Sequence, residues 1–228
     1  MLDETLWDAF VASLPDNVTV SHAALSGGTT VAEIARHIAE RAPERFVLIG
    51  FSLGGYVARQ LAADYPQKVH ALVIIASSLR ADTNQQAQSK QQAINMLTPT
   101  TFKGLGAGAV AKSLHPRRVS DVQLIARIQD MGNRLGYAAF VLQSELSRTG
   151  IRTESIACPT LVVAGGHDAL RSIDEARELT GAIPGASLQV FEGSGHMIPL
   201  EQPKELADAI IHWLDTVGLP LHGDPDRD

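Results

Sequence analysis

Three polar residues of this chain, Ser52, Asp168 and His196, each come shortly after an apolar run that predicts a buried strand. Active sites of open parallel sheets gather at the carboxyl ends of the strands, so these side chains can meet although they are distant in sequence. A serine hydroxyl is a poor nucleophile until a base takes its proton, and a neutral imidazole can do this near pH 7. A carboxylate on the other ring nitrogen fixes the tautomer and stabilises the imidazolium. The three residues therefore predict a nucleophile, its orienting carboxylate and its general base.

Ser52 is the central residue of a G-x-S-x-G pattern whose glycines are Gly50 and Gly54. The apolar residues 46–49 before it predict a strand, and the apolar spacing within residues 57–62 after it predicts a helix. A strand, a sharp turn and a helix in this order are the setting of a nucleophile elbow. Both glycines lack the Cβ atoms that we expect to collide across so tight a turn. The alternative is an ordinary turn serine, and the flanking strand and helix favour the elbow.

Asp168 and His196 also have alternative interpretations. Asp168 follows Gly165-Gly166-His167, and it could simply be a loop carboxylate that caps the next helix. His196 could be a histidine of a surface loop. The apolar residues 197–200 after His196 predict a loop packed against the core, which favours a functional histidine.

The elements that must position these residues alternate between helix and strand over residues 1–78, the first part of a predicted α/β core. Continuous apolar strands that bracket a helix indicate parallel pairing with both faces buried. The elements predicted besides the elbow strand and its helix are a helix carrying Leu6, Trp7, Phe10, Val11 and Leu14, a short strand Val18–Val20, a helix with a Thr30–Glu33 capping box, and a strand Ala71–Ala76.

The strand pattern stops over residues 79–152, where apolar residues follow helical spacing and Ser120 with Gln123 predicts a capping box. We interpret this segment as a helical insertion over the sheet. The core resumes over residues 153–217, with strands at 160–164 and 187–191, a helix that Ser172 with Glu175 caps, and a helix from Pro203. The polar tail, residues 218–228, predicts disorder.

Composition narrows the function classes. The chain has 228 residues, which fits one domain, and 45% hydrophobic residues, which is enough for a full core. A net charge of −6 without a long basic run argues against a nucleic-acid partner. A single cysteine, Cys158, excludes an internal disulfide. The sequence shows no apolar run of membrane length and no signal-peptide pattern, so we expect no membrane partner and a cytoplasmic location.

With these motifs the chain resembles the α/β-hydrolase superfamily, whose members carry their triad in the order Ser, Asp, His. The matching stretches are residues 47–56, 158–170 and 193–203, and the resemblance covers nearly the whole chain. It is most similar to the small bacterial hydrolases with a helical lid, which include carboxylesterases, enol-lactone hydrolases and cofactor-free haloperoxidases. The resemblance implies a parallel sheet flanked by helices with a lid at residues 79–152. It also implies a serine hydrolase that forms an acyl-enzyme on a small ester, thioester or lactone and needs no cofactor.

One departure from the family pattern concerns the oxyanion hole. The resemblance implies that the first oxyanion donor is the backbone N–H of Leu53, whereas the second comes from a loop after an earlier strand. This chain begins at Met1 with what resembles the segment just after that loop. We therefore expect an N-terminally truncated fold in which Met1 is an internal methionine, and the upstream genomic reading frame tests this expectation. If the chain is complete, we expect weak activity and poor stability, because losing one oxyanion donor costs about 100- to 1000-fold in turnover.

Two further functions remain open from the sequence. The missing oxyanion loop is compatible with a non-catalytic or weakly active homologue that binds a small ester-like ligand. The same triad is also compatible with peroxyacid-forming or halogenating activity.

Overall fold

The computed structural model describes residues 1–219 and 221. The strands in chain order are β1 (Phe46–Phe51), β2 (Val69–Ile75), β3 (Thr160–Gly165) and β4 (Ser187–Phe191). Within the described residues they form one four-stranded sheet in the order β1-β2-β3-β4, and every neighbouring pair is parallel. The predicted parallel α/β class is confirmed, and the carboxyl ends of all these strands lie at one edge of the sheet.

Helices surround this sheet. They are α1 (Asp8–Val11), α2 (Val31–Arg41), α3 (Leu53–Asp64), α4 (Asn84–Met96), α5 (Ala107–Lys112), α6 (Val122–Glu145), α7 (Ile173–Ala182), α8 (Ile198–Glu201) and α9 (Pro203–Thr216). A 3-10 helix, Glu4–Trp7, leads into α1. The backbone of α6 leaves the helical conformation at Gly136, where φ is 79°.

The two faces of the sheet bury separate sets of apolar side chains. In β2, Val73 and Ile75 belong to the cluster that contains the buried residues of α1, α8 and α9, whereas Leu72 and Ile74 belong to the cluster with α2, α3 and α7. Successive side chains of a strand point to opposite faces, so a strand covered on both sides must be apolar throughout. Each buried Val, Leu or Ile stabilises the fold by about 1.5–3 kcal/mol.

Local helix signals predicted two of three capping boxes correctly. The hydroxyl of Thr30 accepts a 3.1 Å hydrogen bond from the N–H of Glu33, and a capping box is present there and at Ser172–Glu175. The capping box predicted from Ser120 is wrong. The N-cap of α6 is Asp121, whose carboxylate accepts a 3.0 Å hydrogen bond from the N–H of Leu124. Asp and Ser are both strong N-caps, and the helix begins one residue later than the pattern indicated.

The segment between β2 and β3 carries α4, α5 and α6, and its residues form no strand. The latter two helices contribute Val110, Leu124, Ile128 and Met131 to the core cluster on one face of the sheet. In contrast, α4 has no buried residue, and a capping box of Thr83 with Gln86 begins it. The segment therefore consists of a well-packed part and an outer helix with little apolar anchorage.

Two predictions at the ends of the core differ from the structure. The predicted strand Val18–Val20 is wrong, because these residues follow a turn at 16–17 and form no regular secondary structure, and Val20 is 37% exposed. A β-branched run becomes a strand only where a neighbour offers hydrogen bonds. In the predicted tail, Leu219 packs against the core and its N–H donates a 2.9 Å hydrogen bond to the carbonyl of Leu214. The rest of that prediction, at residues 220 and 222–228, lies outside the described residues.

Candidate active site

The three side chains singled out in the sequence meet at the carboxyl edge of the sheet. The distance between Ser52 Oγ and His196 Nε2 is 3.0 Å, and that between His196 Nδ1 and Asp168 Oδ2 is 2.7 Å. A carboxylate only accepts hydrogen bonds, so the imidazole proton must be on Nδ1. This leaves Nε2 free to accept from the Ser52 hydroxyl. The arrangement can take a proton from Ser52 and hold the resulting positive charge beside a carboxylate.

Ser52 lies in a strained turn between β1 and α3. Its φ is 50° and its ψ is −113°, a conformation that costs a non-glycine residue about 1–3 kcal/mol. The turn is held to the next strand, because the N–H of Ser52 donates a 2.8 Å hydrogen bond to the carbonyl of Ile75. A strained residue between a strand and a helix is the setting expected for a nucleophile elbow.

Only one of the two glycines of the G-x-S-x-G pattern has the close contact predicted for it. A Cβ on Gly50 would lie 2.6 Å from the carbonyl oxygen of Gly54 and 2.7 Å from the Cβ of Ala58, as expected for a tight turn. The expectation for Gly54 is wrong, because a Cβ there would meet no atom within 4 Å. The second close approach is instead at Gly55, whose Cβ would lie 2.6 Å from the side chain of Ser77.

Asp168 uses its two oxygens for two tasks. Oδ2 faces His196, whereas Oδ1 accepts hydrogen bonds from the N–H groups of Leu170 at 2.7 Å and Arg171 at 2.9 Å. The Asp168 side chain has 0% exposure. The capping alternative does not fit, because the N-cap of α7 is Ser172 and the backbone donors to Asp168 lie in the loop before that helix. These donors hold the carboxylate in place beside His196.

The loop of His196 is packed against the helical segment. The N–H of His196 donates a 2.7 Å hydrogen bond to the carbonyl of Ser113, and the residue is 4% exposed. The ring of Phe51 lies 5.2 Å from the imidazole, between centroids. A Cβ on Gly195 would lie 2.5 Å from the backbone of Leu114. The alternative of a surface-loop histidine therefore does not fit the structure.

Glu201 holds this loop in place through hydrogen bonds, and the sequence analysis did not predict this role. Its Oε2 accepts from the N–H of Gly195 at 2.8 Å and from the hydroxyl of Ser194 at 3.1 Å. Its Oε1 accepts from the N–H of His115 at 2.6 Å. Glu201 lies five residues after His196 in an apolar helix, and this isolated acidic residue was the available signal.

Leu53 is the first residue of α3. The first N–H groups of a helix have no acceptor within the helix and carry part of its positive dipole end. The amide of Leu53 is therefore chemically suited to the oxyanion role that the resemblance implies.

A cavity of about 200 Å³ lies over this site. Asp82 is bound there to Lys90 at 2.5 Å and to Arg148 at 2.8 Å. No local sequence pattern marks these ions, which come from the helical segment and its two ends. The lining residues are Ser52, Asp82, Gln86, Lys90, Arg148, Leu170, Arg171 and His196.

Over residues 1–219 and 221, no helix is both long and apolar enough to cross a bilayer. Over the same residues, no group of three or more His, Cys, Asp or Glu side chains could hold a metal ion.

Comparison with known proteins identifies the family to which this chain belongs and the solved structures that share its fold. The model described as the alpha/beta hydrolase family matches residues 8–209. The chain is 28% identical over 240 residues to the biotin biosynthesis bifunctional protein BioHC of Cellvibrio japonicus, covering 94% of this chain and 46% of that protein. It is also 28% identical over 196 residues to the pimeloyl-[acyl-carrier protein] methyl ester esterase of Cronobacter sakazakii, covering 81% of this chain and 75% of that one.

A solved structure shares the fold. The enol-lactonase of Burkholderia xenovorans LB400 superposes with a TM-score of 0.77 at 18% identity, covering 94% of this chain and 87% of that chain. The chain thus spans about half the length of the first of these curated relatives and three quarters of the second.

Proposed function

Because the chain belongs to the alpha/beta hydrolase family, we propose that it hydrolyses a small carboxylic ester, thioester or lactone through an acyl-enzyme on Ser52. The observation that supports this most directly is the continuous relay of Ser52, His196 and Asp168, with contacts of 3.0 and 2.7 Å. The names of the relatives, which include an esterase and an enol-lactonase, agree with this class of reaction.

The first half of the proposed reaction transfers the acyl group to the enzyme. Oγ of Ser52 attacks the substrate carbonyl while Nε2 of His196 takes the hydroxyl proton, and the carbonyl oxygen becomes an oxyanion that accepts from the N–H of Leu53. Asp168 stabilises the imidazolium. The tetrahedral intermediate collapses when the bond to the leaving oxygen or sulfur breaks, and His196 returns its proton to that atom.

The second half releases the acid. Nε2 of His196 takes a proton from water, and the resulting hydroxide oxygen attacks the acyl carbonyl. The bond to Ser52 Oγ then breaks, and the proton returns from His196 to this oxygen. The acid leaves and the enzyme regains its starting state.

The cavity suggests a small substrate. Its volume is about 200 Å³, below the roughly 300–1,000 Å³ that pockets for drug-sized ligands occupy. We propose that the helical segment, residues 79–152, acts as a lid, because Gln86 and Lys90 of α4 line this cavity together with Ser52. Residues on that segment would then set substrate size.

Covalent labelling tests the proposal. A fluorophosphonate probe should label the wild-type chain once, and Ser52→Ala should abolish both the label and the hydrolysis of 4-nitrophenyl acetate. Equal labelling of the two proteins would exclude Ser52 as the nucleophile.

The halogenating alternative uses the same residues, with hydrogen peroxide in place of water at the acyl-enzyme. The product is then a peroxyacid, which oxidises bromide. Bromination of monochlorodimedone in acetate with peroxide, compared between wild type and Ser52→Ala, separates this activity from simple hydrolysis. Binding of an ester without product release would instead favour the non-catalytic homologue.

A further inference from the structure

The small cavity over Ser52 has an unusual charge. Its lining includes the cations Lys90, Arg148 and Arg171 and one carboxylate, Asp82. The chain as a whole carries a net charge of −6. A positive site inside a negative protein concentrates the electric field on one place and attracts anions there specifically.

The ion pairs do not fully neutralise the cations that line the cavity. Arg171 has its own partner, Glu175, at 3.2 Å. Asp82, however, serves two cations, with Oδ2 on Lys90 at 2.5 Å and Oδ1 on Arg148 at 2.8 Å. One carboxylate between two cations leaves one positive charge in excess. We call Asp82, Lys90 and Arg148 the ion triad.

The ion triad is largely withdrawn from solvent. The exposed fractions of its side chains are 18% for Asp82, 27% for Lys90 and 11% for Arg148. Nε of Arg148 is buried and has no hydrogen-bond partner among the described residues. An excess charge in such a place is weakly screened, and an unpaired buried donor costs free energy. A ligand anion in the cavity would offset the excess charge.

The surroundings of Lys90 disfavour the charged form of its side chain. Burial lowers the pKa of its ammonium, and the positive charge of Arg148 lowers it further, while the bond to Asp82 acts in the opposite direction. An anion beside Lys90 would oppose this decrease.

The ion triad also lies between two cavities. Its three residues line both the cavity over Ser52 and a neighbouring one of about 400 Å³ between α4 and residues 144–149. A substrate with its carbonyl at Ser52 would therefore extend toward these cations.

We propose that Lys90 and Arg148 select an ester, thioester or lactone that carries a free carboxylate. This inference rests on the proposed hydrolase function and names its substrate class. A carboxylate matches the single excess positive charge, whereas a phosphate group carries about −1.5 to −2 at pH 7. The arginine guanidinium and the lysine ammonium both donate several hydrogen bonds to carboxylate oxygens.

Two esters of equal chain length test the selection. Monomethyl glutarate carries a free carboxylate at the end away from the ester, and methyl pentanoate has a methyl group there instead. Acid release in a pH-stat gives kcat/KM for each. We expect wild type to prefer the glutarate by about 10- to 100-fold, the range that one or two charge-assisted hydrogen bonds supply. Raised salt should reduce the preference.

Substitutions of Lys90 then assign the preference. Lys90 lies on α4, which has no buried residue, so its variants should fold. Lys90→Met should lower the ratio of the two kcat/KM values about tenfold, and Lys90→Glu should lower it further. Arg177→Gln changes an exposed arginine far along the chain in α7, paired with Asp174, and should leave the ratio unchanged.

The outcomes separate the two proposals. If wild type cleaves neither ester and takes no fluorophosphonate label, the hydrolase function fails. If wild type cleaves methyl pentanoate as well as or better than the glutarate, or if both Lys90 variants keep the wild-type ratio, the carboxylate inference is overturned while the hydrolase function stands.

Discussion

His115 and Glu201 are joined by a 2.6 Å hydrogen bond from the backbone N–H of His115 to Oε1 of Glu201. The other oxygen of the same carboxylate binds the N–H of Gly195, directly before His196. A single side chain therefore fastens the helical segment to the loop that carries the proposed base. Glu201 touches neither Ser52 nor His196 by these bonds, so we regard it as a positioning residue.

Replacing Glu201 should loosen the His196 loop. In Glu201→Gln one acceptor oxygen becomes an NH2 group that faces a backbone donor, so we expect a loss of about 1–3 kcal/mol in the free energy of unfolding. We also expect kcat to fall more than KM changes, because the imidazole would be less well oriented. Denaturant unfolding and ester kinetics measure the two effects. Glu44→Gln, an exposed control, should match wild type, and an unchanged kcat in Glu201→Gln would contradict the positioning role.

Replacing Asp168 should separate its two tasks. The side-chain amide introduced by Asp168→Asn can keep an oxygen for the N–H groups of Leu170 and Arg171, but its NH2 group then faces Nδ1 of His196 and favours the wrong tautomer. We expect kcat to fall by about 10³- to 10⁴-fold while the fold is retained. Steady-state kinetics together with circular dichroism check this. Activity within tenfold of wild type would show that Asp168 does not orient the base.

The glycines of the elbow offer a matched pair. Gly50→Ala places a Cβ 2.6 Å from a backbone oxygen and should destabilise the chain by about 1–3 kcal/mol or more. Gly54→Ala meets no atom within 4 Å and lies in a helix, so it should be neutral or stabilise by up to about 1 kcal/mol. Thermal unfolding of both variants compares them. Equal destabilisation would show that the elbow requires both glycines.

The thiol of Cys158 should react slowly in the folded chain. Burial raises its pKa above the ordinary value of 9.0, with a smaller opposing effect of Thr160. A raised pKa lowers the thiolate fraction at a given pH, so alkylation by iodoacetamide at pH 8 should be slower in buffer than in urea. The stabilisation linked to this shift is complete below the ordinary thiol pKa and is lost as the pH rises through the folded value. Mass spectrometry follows the single cysteine, and equal rates would refute the shift.

The sequence determined the features that depend on local pattern. Continuous apolar runs predicted the strands that bury both faces, the order of strand, turn and helix located the elbow at Ser52, and the capping boxes at Thr30 and Ser172 were correct. Each of these follows from the backbone conformation of a few neighbouring residues. The nearness of Asp168 and His196 to Ser52 followed as well, because parallel strands bring their carboxyl ends to one edge.

Local pattern failed where the outcome depended on a neighbour. The β-branched residues Val18–Val20 lack a strand partner, and Gly54 faces open space that the motif does not reveal.

Only the tertiary structure decided what surrounds the triad. Asp82, Lys90 and Arg148 come from the two ends and the outer helix of one long segment, and Glu201 meets His115 from 86 residues away. No spacing rule connects such residues, because their distances are set by how the helical segment packs on the sheet. The chemistry proposed at Ser52 follows from the order of residues along the chain, whereas the charge of the cavity over it exists only once the chain is folded.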